Sequence, residues 1–216
     1  VKIMACSPNS QERSITMQIS SVPLLTAAKL AELVALGHNR ISQIYLHWTA
    51  GRYGQLYDDY HFNIDADGSI YQTCTQLTEL KSHTWHRNTG AIGIALCCAC
   101  GALPHNGRDT EFGKFPPTPR QINAAGKLVA ALAQGLNIPI DRWNILTHCE
   151  TALIDGYGPY SGDAETRWDL WVPARFTRRR GYETRQAGHQ GQGPVVCKKQ
   201  PPCLKGLLFK EHDVFF

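Results

Sequence analysis

Two histidines stand where strand-like segments end, His47 in IYLHWTAG and His148 in NILTHCE. Strand ends at a sheet edge are where α/β folds gather ligands and reactive groups. Neutral imidazole is the commonest protein ligand to zinc, and a catalytic zinc takes three protein ligands and leaves a position open for water. Asp169, in RWDLW, is a candidate third donor. Taken singly, each histidine reads more readily as a hydrogen-bonded, partly buried group, and spacing alone does not join the three. If they meet, the chemistry on offer is hydrolysis by a metal-activated water.

The elements that must position them can be read from periodicity and capping. Thr26 to Asn39 reads as a helix with Thr26 as its N-cap and Gly37 near its end. Ile41 to Trp48 is a strand rich in β-branched and aromatic residues. Tyr60 to Gln72 is a hairpin turning at Asp67-Gly68, and the apolar run Ala91 to Cys97 is a central strand buried on both faces. A Gly/Pro-rich loop covers Gly101 to Pro119. Thr118 then caps a helix with Pro119 in its first turn and Ile122, Ala125, Val129, Leu132 and Leu136 along one stripe, stopped by Pro139. Trp143 to His148 is a further strand, followed by a Gly/Tyr-rich loop from Cys149 to Gly162. The order predicts an α/β fold: a single domain with a central mixed β-sheet flanked by helices, plus a basic C-terminal tail.

The chain has 216 residues, 43% of them hydrophobic, enough for a substantial core. No apolar run reaches the ~18 residues of a membrane span, and VKIMACSPNSQERS shows no signal-peptide stretch. The net charge of +4 is unevenly spread. Residues 1–172 carry 13 Lys and Arg against 15 Asp and Glu, whereas residues 173–216 carry 9 against 3. That division sets a domain at 1–172 and a basic extension at 173–216, which would hold a polyanion or simply be solvated. Among the eight cysteines only Cys97 and Cys100, in CCAC, have CxxC spacing, and no second such pair accompanies them, so a structural zinc knuckle is not expected.

Four of these segments, in this order, resemble the zinc-dependent N-acetylmuramoyl-L-alanine amidases of type 2, a family of phage endolysins, autolysins and peptidoglycan recognition proteins. IYLHWTAG is similar to the family's first ligand strand, DYHFNIDADGSIYQ to its hairpin, HRNTGAIGIALC to its central strand, and NILTHCE with RWDLW to its second histidine and basic-x-acidic pair. The resemblance implies one Zn2+ per chain held by His47, His148 and Asp169. It implies Tyr60 and Arg167 as donors to the oxyanion formed during amide hydrolysis. The substrate would be a peptidoglycan muropeptide, cut between the lactyl group of N-acetylmuramic acid and L-alanine. Two departures stand out. Where many members carry a glutamate after the Ile-Gly-Ile of the central strand, this chain has Ala95; where many carry lysine, it has Arg167.

Other residues complete the expected site. Glu150 follows His148 by two, so a continuing strand would turn it to the same face as a proton shuttle or partner of a ligand; a surface glutamate opening a loop is the alternative. His61, Asn88, His86 and Tyr157 are candidates to contact substrate, with His83 and His86 on the groove rim; His61 reads equally as structural, and Asn88 more readily as closing its loop. Wall attachment through the basic tail, by an anionic cell-wall polymer, is a further expectation. Nucleic acid is not an expected partner, because aromatic–basic interleaving is missing. The competing readings are a non-catalytic peptidoglycan-recognition module of the same fold and a zinc hydrolase of another amide. An enzyme acting on the wall and one recycling fragments inside the cell both fit.

Overall fold

A computed structural model of the protein describes residues 16–17, 19–105, 109–157 and 169. In chain order the elements are β1 (Thr16–Met17), a 3-10 turn (Ile19–Ser21), α1 (Ala27–Gly37), β2 (Gln43–Trp48), β3 (Leu56–Tyr57), β4 (Phe62–Ile64), β5 (Ile70–Gln72), β6 (Ala91–Leu96), β7 (Leu103–His105), β8 (Asp109–Glu111), α2 (Pro119–Leu136), β9 (Ile145–Thr147) and α3 (His148–Asp155). Five strands form the main sheet in the order β5-β4-β6-β2-β9. β4, β6, β2 and β9 run parallel and β5 is antiparallel to β4, so the sheet is mixed, as expected.

Period-two alternation divides the sheet into two faces. Ile44, Leu46 and Trp48 of β2, Ile92, Ile94 and Leu96 of β6, and Phe62 and Ile64 of β4 join the main core with Leu128, Val129, Leu132 and Leu136 of α2 and Leu33 of α1. Each such side chain removed from water contributes roughly 1.5–3 kcal/mol. The opposite face carries Tyr45, His47, Asn63, Gly93 and Ala95. All six residues of β6 are buried, which explains why its sequence is apolar throughout rather than alternating.

Local chemistry fixes the ends. Thr26 Oγ1 accepts from Lys29 N at 3.1 Å and starts α1. The hairpin turns at Gly68, with φ +90°, while Asp67 Oδ1 accepts from Ser69 N. Thr118 and Gln121 form a reciprocal capping box at the start of α2. The buried face of this helix includes Gln121 rather than Ile122. Its amide donates to the carbonyls of Ile64 and Cys97, tying α2 to the ends of β4 and β6.

Three boundaries differ from the sequence reading. α2 ends at Asn137 in the left-handed conformation, before Pro139 is reached. The stretch read as a loop from Gly101 contains the hairpin β7–β8. The third bears on the site: β9 stops at Thr147, and His148–Asp155 is helix, not strand end and loop. Thr147-His-Cys-Glu150 is a capping box, with Thr147 Oγ1 accepting from Glu150 N at 3.1 Å and Glu150 Oε2 accepting from Thr147 N at 2.8 Å. The basic extension at 173–216 lies outside the described residues.

Candidate metal centre and its surroundings

β2 ends next to β9, so His47 and the first residue of α3, His148, come together at one edge of the sheet. Their rings lie 4.9 Å apart, centre to centre. Asp169 closes the group: its Oδ2 is 3.0 Å from His47 Nδ1 and 2.9 Å from His148 Nδ1. Its other oxygen accepts from Trp48 N at 3.0 Å, and its carbonyl accepts from Cys149 N at 2.9 Å. One residue thereby clips the end of β2 to the start of α3. His47 is fully buried, and His148 and Asp169 are each 8% exposed.

Burial works against a charged Asp169, but the His47 and His148 imidazoles beside it prevail and hold its carboxyl at about 2. Burial also pulls His47 below the usual histidine range. An ionised carboxylate accepts only, so both imidazoles donate to it from Nδ1. Two imidazole nitrogens and one carboxylate oxygen lie within 4.8 Å of one another, and they are the one such group of donors among the described residues. That donor set fits zinc, which takes nitrogen and oxygen ligands at ~2.0–2.2 Å.

Behind His47 the loop from His83 to Asn88 folds against the sheet. Asn88 Oδ1 accepts from His83 N at 3.2 Å and Thr84 N at 2.7 Å, closing the loop on itself. Thr84 Oγ1 lies 3.3 Å from His47 Nε2 and 2.9 Å from His83 Nδ1. His83 is buried beside His47, not on a rim, and burial brings its imidazole down to about 2. Gly93 makes the space: a Cβ there would meet His83 Cγ and Cδ2 at 2.7 Å. Arg87 fastens the same loop to α3 through two hydrogen bonds to Asp155, of 2.7 and 2.6 Å.

Tyr60 is half-buried with its ring 5.1 Å from that of His47, and burial raises its hydroxyl well above the usual tyrosine range. It therefore stays a proton donor. His86 is exposed and stacks edge-on against Trp85.

Two expected roles need correction, those of Tyr157 and Glu150, while His61 and Asn88 take the structural and loop-closing alternatives read for them. His61 does not reach the surface: it is fully buried, its Nε2 donating to Glu79 O and its Nδ1 accepting from Gly93 N. Asn88 spends its carbonyl oxygen on closing its loop. Tyr157 is buried behind His148, against Cys149 and Ala152, with ring centres 6.3 Å apart. Glu150 is no longer on a strand face shared with His148, because the chain has turned into α3 and its carboxylate caps that helix. Arg167 lies outside the described residues. Thr84 was missed, since a lone threonine between histidines carries no spacing signal.

Residues 37–163 match the family described as Amidase_2: N-acetylmuramoyl-L-alanine amidase. No curated protein matches the chain. Among solved structures, the Ph2119 endolysin from Thermus scotoductus MAT2119 bacteriophage Ph2119 is similar at 19% identity, over 51% of this chain and 72% of its own, with a TM-score of 0.39. The N-acetylmuramyl-L-alanine amidase AmiD from E. coli, in complex with the substrate anhydro-N-acetylmuramic acid-L-Ala-D-gamma-Glu-L-Lys, is similar at 20% identity, over 65% and 62%, with a TM-score of 0.41. Drosophila PGRP-LB follows at 17% identity, over 51% and 71%, with a TM-score of 0.36. Overlaps this loose accompany the family match and add nothing to it.

Proposed function

The chain belongs to the N-acetylmuramoyl-L-alanine amidase family and is an amidase, and we propose that it is a zinc enzyme that releases stem peptides from peptidoglycan. The bond cut joins the lactyl group of N-acetylmuramic acid to L-alanine. The observation that carries this reading is the convergence of His47 Nδ1 and His148 Nδ1 on one oxygen of Asp169. A non-catalytic recognition module would be expected to have lost one of these donors; all three are present.

In this reading His47, His148 and Asp169 hold the ion, which supplies an acidified water and a polarised carbonyl. The chain's own part is positioning and charge. Asp169 Oδ1 is tethered to Trp48 N and cannot swing away. Tyr60, kept protonated by burial, donates to the oxyanion that develops on the scissile carbonyl, a contribution of ~3–4 kcal/mol for such donors. Arg167 is proposed as the second donor, with a charge that persists at any working pH. His86 and Trp85 offer an exposed polar and aromatic edge to the glycan or peptide. The basic extension is proposed to hold the enzyme on an anionic wall polymer, so the site of action is the cell wall.

Mass spectrometry of purified peptidoglycan digested with and without a zinc chelator tests the reading. Peptides with a free L-alanine amine, released when zinc is present and lost on chelation, are the expected result. Zinc bound at one per chain with no such peptides would overturn the substrate; release that chelation leaves untouched would overturn the metal.

A further inference from the structure

Thr84 is buried at the back of the candidate metal site. Its hydroxyl sits between two buried imidazoles, 3.3 Å from His47 Nε2 and 2.9 Å from His83 Nδ1. The backbone that carries it is pinned by Asn88 Oδ1 at both Thr84 N and His83 N. The other side of the His47 ring meets Asp169 through Nδ1. The ring is therefore gripped at both nitrogens, and the two grips compete. When Nδ1 carries the proton it donates to Asp169 and cannot ligate. For Nδ1 to offer a lone pair, the proton of the neutral ring must sit on Nε2, where the sole polar atom in reach among the described residues is Thr84 Oγ1.

We propose that Thr84 is the positioning residue that makes His47 a metal ligand, by accepting the Nε2 proton of the ligating tautomer. The inference rests on the zinc reading above. A hydroxyl suits this role because it both donates and accepts. Without metal, Thr84 gives its proton to His47 Nε2 and receives one from His83 Nδ1. With metal, it turns and accepts from His47. An apolar group there would leave the His47 N–H unpaired in the ligating tautomer but not in the other, where Asp169 accepts it, and so tilts the ring toward Asp169 and away from the ion. His83 keeps the hydroxyl in place, and Gly93 keeps room for His83, since any Cβ at that position would strike the ring.

The test is zinc affinity, measured by chelator competition, for wild type, Thr84→Val and Thr84→Ser. Partners of metal-ligating histidines typically contribute 10–100-fold in affinity. Thr84→Val should lose that much while Thr84→Ser stays within a few-fold of wild type. Long-range 1H–15N spectra of zinc-loaded wild type should place the His47 proton on Nε2. Should Thr84→Val fold poorly, Asn88→Ala loosens the same clamp and should also weaken zinc. Equal affinity in Thr84→Val and wild type would overturn the clamp and leave the zinc reading standing. A wild-type protein that takes up no zinc would overturn both.

Discussion

Ala95 lies directly beside His47 across the parallel pairing of β6 with β2, on the same face of the sheet. A longer acidic side chain there would face the candidate metal site. Ala95 is fully buried and brings no ionisable group. On its other side, in register, stands Asn63, whose side chain is occupied by both backbone groups of Tyr57. Next to His47, β6 and β4 therefore supply no acid or base, and proton donation falls to groups at the margin, foremost Tyr60.

Tyr60→Phe isolates that donation. Hydrolysis should fall by about 10²–10³ in kcat, the range for losing one oxyanion donor. Zinc content, measured by elemental analysis, should stay unchanged because Tyr60 is not among the three donors. Loss of zinc in this variant would reassign the residue.

Asp169→Ala should do the reverse. It removes a donor to the ion and both ties between the site and the end of β2. Zinc should no longer co-purify at one per chain, and activity should fall to background with the protein still folded by circular dichroism.

Glu150 separates capping from catalysis. Gln at this position keeps a capping box, so Glu150→Gln should retain near-normal hydrolysis. Glu150→Ala leaves Thr147 N without its partner and should lower stability by roughly 0.5–2 kcal/mol in urea denaturation. If Glu150→Gln abolishes hydrolysis with zinc bound, the carboxylate has a chemical role after all.

His61 makes stability fall on mild acidification. Burial lowers its imidazole from 6.5 to about 4 in the folded protein. Its contribution is complete above pH ~6.5, where folded and unfolded chains are both neutral, and it drains away as pH falls toward 4 because the unfolded chain takes up a proton first. By pH 5 this one group should cost about 2 kcal/mol. Comparing denaturation midpoints at pH 7 and pH 5 for wild type and His61→Gln should show a smaller drop in the variant.

Much of this was legible from the chain. The caps at Thr26 and Thr118, the Asp67-Gly68 turn and the apolar run at β6 name their own structures, because each depends on neighbours in sequence. The turn at His148 was legible too: Thr147 and Glu150 have the spacing of a capping box, overlooked beside the stronger look of a strand. His61 and His83 are a different matter. A buried histidine and a ligating one have the same letter; His61 is marked as structural only by partners from distant segments at both ring nitrogens, Glu79 and Gly93, while His83 is held through Nδ1 by its neighbour Thr84.

The strand order has a consequence for the newly made chain. β2 is synthesised before both of its neighbours in the sheet, β6 and β9, and the second histidine follows β9. A nascent chain that has emerged only as far as β6 presents His47 with neither His148 nor Asp169. The three donors can meet only after Asp169 has left the ribosome, so the chain emerges with its hydrolytic centre still incomplete.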